Sequence, residues 1–202
     1  MLISSVEPWK RSMSAVYIDG EYAVTLDNMT LIKNHIKAGV EISDEELHSL
    51  IQQSEKQRAN EKALNLITYR DHSKKELKEK LSRTYSAETA EEIAEKMQES
   101  GLVNDEEYAR KYADELLRKK HMSLRGIEFR LREKGISPEI IEIIKEELEF
   151  DPVSEIQQVL AKKYPTYAHD EKVKKRAIAA LQRLGWSWSD IKNAIQEENR
   201  IV

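Results

Sequence analysis

The sequence predicts a mainly α fold: an elongated, curved array of three tandem three-helix repeats, with a small N-terminal β-hairpin/α region. Three observations predict it. First, the stretch Ser123–Leu148 returns in altered form, with Leu131, Gly135, Ser137 and Ile141 matched by Leu181, Gly185, Ser187 and Ile191. In the other direction Ser123 and Leu131 match Ser73 and Leu81, and a period of this size marks stacked supersecondary units. Second, only six Gly and four Pro interrupt 202 residues, which favours long helices. Third, charged residues make up 35% and aromatics 6%, so the core is thin and elongated rather than one large globule.

The elements follow in chain order. Residues 1–42 form the N-terminal region. Val16 and Ile18 lead into Asp19-Gly20, and Tyr22, Val24 and Leu26 alternate after it. Asp-Gly between alternating apolar residues predicts a two-residue hairpin, because both central positions need positive φ. A short helix is expected from Asn28 as cap to about Lys37, closed by Gly39. Ser43 with Glu46 reads as a capping box. The almost entirely polar run Gln52–Asn60 makes 43–60 a helical linker, and the main domain boundary is placed there.

Repeat one spans 61–103. Ala63, Leu64 and Ile67 mark its first helix, Ser73 with Glu76 caps the second, and Ala90, Ile93 and Met97 mark the third, ended by Gly101. Repeat two spans 104–150, with Asn104 as N-cap, Leu124, Ile127 and Leu131 in its second helix, and Ser137-Pro138 opening its third. Repeat three spans 151–202 and opens with Asp151-Pro152. One unit alone has too few core residues to be stable, and stacking supplies the rest.

The composition excludes several classes. With no cysteine, disulfides and thiolate chemistry are absent and a reducing cytoplasm fits. No window approaches the apolar length of a membrane span, and the first ten residues are too polar for a signal peptide. The net charge of −4 argues against whole-surface attraction to nucleic acid but leaves local patches open. The five His residues lack metal-ligand spacing, and HExxH, Gly-x-Ser-x-Gly and a Gly-rich phosphate loop are missing. No catalytic, metal or cofactor site is expected, and a binding or regulatory protein is the default.

Charge is sorted by helix. Lys172, Lys175, Arg176 and Arg183 share a face of the second helix of repeat three, Arg125 and Arg132 share one in repeat two, and Lys74 and Lys78 do so in repeat one. Arg118, Lys119, Lys120 and His121 end the first helix of repeat two. The third helices carry runs of Glu instead. For any single residue, macrodipole stabilisation or plain solvation accounts for the charge. Second helices that are basic in all three copies would form a stripe suited to a polyanion, either phosphates or an acidic protein surface. Phe129, outside the apolar face, either packs on the neighbouring repeat or meets a partner, and the former is favoured; Trp186 is expected in the core and Trp188 outside it.

The joint spacing of several motifs resembles the RecX regulatory proteins. The run Ala63-Leu64-x-x-Ile67-x-x-Arg70-x-x-Ser73-x-x-Glu76-Leu77-x-x-Lys80-Leu81 is similar to their opening signature, as is Gly101-Leu102-Val103-Asn104-Asp105-Glu106-x-Tyr108-Ala109-x-x-Tyr112. Leu131-x-x-Lys134-Gly135-Ile136 and Leu181-x-x-Leu184-Gly185-Trp186 look like later copies, Trp186 standing where Phe is usual. His121-Met122-Ser123 stands where the family often has a Gly-containing turn. The resemblance covers about 61–195. It implies a cytoplasmic, non-enzymatic regulator without cofactor that binds the groove of the RecA–DNA filament. Such a regulator modulates, by expectation inhibits, RecA ATPase, strand exchange and co-protease activity in recombination, DNA repair and the SOS response. The RecA filament is the implied partner, contact with single- or double-stranded DNA is weak or indirect, and a monomer is expected. Arg118, Lys119, Lys120, Arg125, Arg132, Lys172, Lys175, Arg176 and Arg183 are the expected RecA or DNA contacts. The competing readings are a stand-alone DNA-binding helical module and a non-enzymatic helical adaptor.

Overall fold

The computed structural model describes residues 1–201, which divide into two compact units, 1–103 and from 104 onwards. The first unit opens with a three-stranded antiparallel meander, β1 (Ile3–Lys10), β2 (Met13–Ile18) and β3 (Glu21–Asp27), in that order across the sheet. The predicted hairpin is β2–β3, and Asp19 (φ 51°) and Gly20 (φ 90°) both take the left-handed conformation its turn requires. Strand β1 is an addition to the expected hairpin. Its sequence shows little alternation, and Pro8 is tolerated because β1 lies at the sheet edge.

The sheet buries Ile3, Val16, Ile18 and Leu26 against Leu31, Ile42 and Leu50. This resolves how a marginal hairpin is held: a third strand and two helices supply the apolar partners. Helix α1 is shorter than expected, Asn28–Lys33, and its cap is Asp27 rather than Asn28. The Asp27 carboxylate accepts from the Thr30 amide at 2.9 Å, while the Asn28 side-chain oxygen Oδ1 accepts from the Ser14 hydroxyl at 2.8 Å.

Helix α2 runs unbroken from Asp44 to Tyr69, so the stretch 43–60 read as a helical linker continues into the first helix of repeat one. Ser43 and Glu46 form the reciprocal capping box. The polar middle of α2 stays in place because its inward face uses small residues. Ser54, 2% exposed, accepts from the Asp27 amide at 2.9 Å, and Ala59 and Ala63 are fully buried. One end of α2 therefore covers the sheet through Leu50, and the other joins α3 (Lys74–Leu81) and α4 (Ala87–Glu99) around Leu77, Leu81, Ile93 and Met97.

His72, in the turn before α3, is buried with Nδ1 2.7 Å from the Arg70 carbonyl and Nε2 2.8 Å from the Lys80 ammonium. A carbonyl only accepts and an ammonium only donates, so the ring is neutral with its proton on Nδ1. Burial pushes its pKa below the ordinary value. The stability this gives is present above the unfolded pKa of about 6.5 and is lost as pH falls from there towards the folded value. Between pH ~7 and ~5 the melting temperature of the wild type should therefore fall more steeply than that of His72→Gln. Parallel thermal melts across that range check it, and identical slopes would refute the assignment.

The second unit contains two three-helix sets. Helices α5 (Asp105–Lys120), α6 (Leu124–Glu133) and α7 (Pro138–Glu147) enclose Leu116, Ile127, Leu131, Ile141 and Ile144. Helices α8 (Pro152–Lys163), α9 (Glu171–Arg183) and α10 (Trp188–Ile201) enclose Ile156, Leu160, Leu181, Trp186 and Ile191. Phe150 and Leu184 pack against both cores. Asn104 and Ser137 cap as the sequence predicts, accepting from the Glu106 and Glu107 amides and from Ile140, with Pro138 in the first turn; Ser123 caps α6 by accepting from the Gly126 amide. The repeat-equivalent leucines, Leu81, Leu131 and Leu181, are each 0% exposed. Among the described residues no helix is long and apolar enough to cross a membrane.

Candidate polyanion-binding surface

The surface is built on the turn from α5 to α6. His121 ends α5 in the left-handed conformation (φ 53°), a place glycine would suit better. The residue is held on both sides. Its Nδ1–H donates to Glu155 at 2.6 Å, and its carbonyl accepts from the Trp186 indole N–H at 2.9 Å. The Ser123 amide donates to the Leu184 carbonyl at 3.0 Å. Two glycines permit this approach. A Cβ on Gly126 would lie 2.4 Å from the Leu184 carbonyl oxygen, and one on Gly185 (φ 91°) would lie 2.5 Å from Ser123 Oγ.

This docking of the α5–α6 turn on the α9–α10 turn opens a groove of about 570 Å³. From α6 come Arg125, Phe129 and Arg130; Arg183 comes from α9, and Trp188 from the start of α10. Phe129 is 60% exposed, so it does not pack on the neighbouring repeat as expected; it stands outside the face formed by Ile127 and Leu131. Trp188 is 57% exposed, whereas Trp186 is buried, both as the sequence suggests. The Arg130 guanidinium lies 5.9 Å from the Phe129 ring and also pairs with Glu133 at 2.7 Å.

The nine expected contact residues are all exposed, but their electrostatic condition differs. Arg118 pairs with Asp114, Lys119 with Glu115 at 3.6 Å and Arg132 with Glu128 at 2.6 Å, each one turn earlier on its own helix. Hydrogen bonding to Asp114 raises the Arg118 pKa further. Lys120, Arg125, Lys172, Lys175, Arg176 and Arg183 form no ion pair among the described residues. Of these, Arg125 and Arg183 both line the groove; Lys172, Lys175 and Arg176 lie on α9 outside its lining.

In the first unit the pattern changes. Lys74 lies 3.3 Å from Glu95, and Lys78 pairs with Glu91. The acidic face of α4 thus neutralises the basic face of α3, and hydrogen bonding from Lys78 holds the Glu91 pKa down. The second helix of repeat one is basic as expected, but third-helix glutamates lie within reach of its lysines. Sequence reasoning also missed Arg130, Phe129 and Trp188 as groove residues. The available signal was the spacing of Arg125 and Phe129, four apart on one helix face.

Residues 59–97 match the family model described as RecX, first three-helix domain, and residues 104–143 match RecX, second three-helix domain. A Regulatory protein RecX from Caldanaerobacter subterraneus subsp. tengcongensis is 32% identical over 169 residues, covering 82% of this chain and 85% of that protein. The chain belongs to the RecX family. A second RecX protein, from Clostridioides difficile, is 29% identical over 191 residues, 94% of this chain and 90% of its own length. The crystal structure of a regulatory protein RecX superposes with a TM-score of 0.66 at 22% identity, covering 95% of this chain and 98% of that one. RecX from Lactobacillus salivarius gives a TM-score of 0.57 at 25% identity over 71% of this chain and 96% of its own. These RecX relatives are named as regulatory proteins, and the two family matches fall on the helices that carry Leu81 and Leu131.

Proposed function

We propose that this RecX protein is a non-enzymatic, cytoplasmic regulator, monomeric in solution, that binds the RecA–DNA filament and restrains RecA ATPase, strand exchange and co-protease activity. The repeats at 61–103, 104–150 and 151–202 are its working body. The observation that carries the reading is that Arg125 on α6 and Lys172, Lys175, Arg176 and Arg183 on α9 are exposed and form no ion pair among the described residues, with Arg125 and Arg183 lining one groove. Cations without partners are available to an acidic protein surface or to phosphate, whereas pre-paired ones must first give up a partner. No cofactor or metal is required.

The test is RecA ATPase on single-stranded DNA, titrated with the protein, together with binding to bare and RecA-coated strands of the same sequence. Inhibition and tighter binding to the coated strand are expected. Equal or tighter binding to bare DNA would remove the main support and favour the second reading, a DNA-binding module acting alone. That reading draws on Phe129 and Trp188, exposed aromatic rings beside arginines, which suit stacked bases.

A further inference from the structure

We infer that the first unit carries a separate binding site for single-stranded nucleic acid, between the tip of the β1–β2 hairpin and the middle of α2. A groove of about 520 Å³ lies there. Its walls are Lys10 and Arg11 at the hairpin tip, Arg58, Lys62 and Asn65 along α2, and Tyr85 before α4. The four cations come from two separate elements, are exposed, and form no ion pair among the described residues. This contrasts with Lys56, which precedes the groove lining on α2 and pairs with Glu92 at 2.6 Å.

Three further features support a site rather than a solvated face. Arg58, Lys62 and Asn65 follow the spacing of one helix face, and four residues of helix rise about 6 Å, so Arg58 and Lys62 can take neighbouring phosphates. Arg11 occupies the turn between the paired residues Lys10 and Met13 at φ 41°, a conformation that favours glycine. An arginine is thus held at a strained tip, aimed from the same turn as Lys10, where a small residue would be easier to accommodate. Next to it Trp9 is 63% exposed, with the Lys10 ammonium 6.0 Å from its ring. Aromatic rings interleaved with cations fit a strand that offers both bases and phosphates. An acidic polypeptide would use the cations but leave Trp9 without a role. The Tyr85 ring centre lies 5.9 Å from the Arg58 guanidinium, and its phenol can donate a hydrogen bond.

One residue of the groove opposes the ligand. Glu61 lies in the lining between Arg58 and Lys62, held at 3.2 Å by the Gln57 amide. This gives a test in two directions. The full chain is titrated onto a fluorescein-labelled oligothymidylate of about 20 nucleotides, followed by anisotropy at several salt concentrations. Arg58→Glu/Lys62→Glu should weaken binding at least ~10-fold and lower the salt slope by about 1.4, the value for two lost single-strand phosphate contacts. Glu61→Gln should tighten binding, an outcome that misfolding cannot produce. The same pair of effects should appear with Arg125→Glu/Arg183→Glu in the background, which separates this site from the groove of the second unit. Binding that ignores all three substitutions would overturn the proposal. So would loss of polyglutamate binding in Arg58→Glu/Lys62→Glu with oligothymidylate binding intact, which would assign the groove to an acidic polypeptide.

Discussion

Replacing Gly185 by alanine should lower the melting temperature of the second unit by roughly 15 °C. Two penalties combine at this position. The backbone sits at φ 91°, where an L side chain is strained, and a Cβ would lie 2.5 Å from Ser123 Oγ, 2.7 Å from the Gly126 amide nitrogen and 2.8 Å from its Cα. Two of those three atoms are backbone and cannot swing aside. Strain and overpacking together are worth on the order of 3 kcal/mol. Gly101→Ala is the control. It shares the positive φ (73°) but has nothing within 4 Å of the added methyl, so it should lose only the conformational part, about 1 kcal/mol. Thermal melts followed by far-ultraviolet circular dichroism, with tryptophan fluorescence reporting on Trp186, measure both. Equal losses in the two variants would show that the close approach of the α5–α6 and α9–α10 turns carries no weight.

Reversing both arginines of the groove, Arg125→Glu/Arg183→Glu, should raise the concentration needed for half-inhibition of RecA ATPase by more than ~10-fold, since like charges facing an acidic or phosphate surface repel. Arg118→Glu/Lys119→Glu changes charge by the same amount but should have a much smaller effect. Those two side chains are already matched to Asp114 and Glu115, so their field at a partner is partly cancelled. ATPase titrations of the two double variants, at fixed RecA and single-stranded DNA, give the comparison. A comparable loss in both would mean that net charge rather than the groove sets the activity.

Much of the fold was readable because its signals are local. Ser43 with Glu46, Asn104, Ser123 and Ser137-Pro138 cap helices through groups two or three residues away, and Asp19-Gly20 sets its own turn. What escaped depends on partners distant in sequence. Strand β1 exists through pairing such as Val6 with Val16, and its own residues alternate little. The helical stretch 43–60 looked solvated because Ser54 and Ala59 face inward, and small inward residues leave no apolar stripe. The cations of the second unit were found from helix faces, but which of them are available was not. That distinction lay within reach, since Asp114, Glu115 and Glu128 each stand four residues before a basic partner, whereas His121 and Ala179 precede Arg125 and Arg183. The groove itself needed two turns to meet whose linked residues, His121 and Trp186, stand 65 apart in the chain, which no local pattern encodes.

The continuous α2 has a consequence for how the first unit comes apart. One helix is shared by two cores, the β-sheet core through Leu50 and the three-helix core through Ala59 and Ala63. Fraying α2 from either end removes support from both, so neither can open alone without exposing apolar surface of the other. The unit should behave as a single foldon, with amide protons of β2 and of α4 exchanging through the same global event.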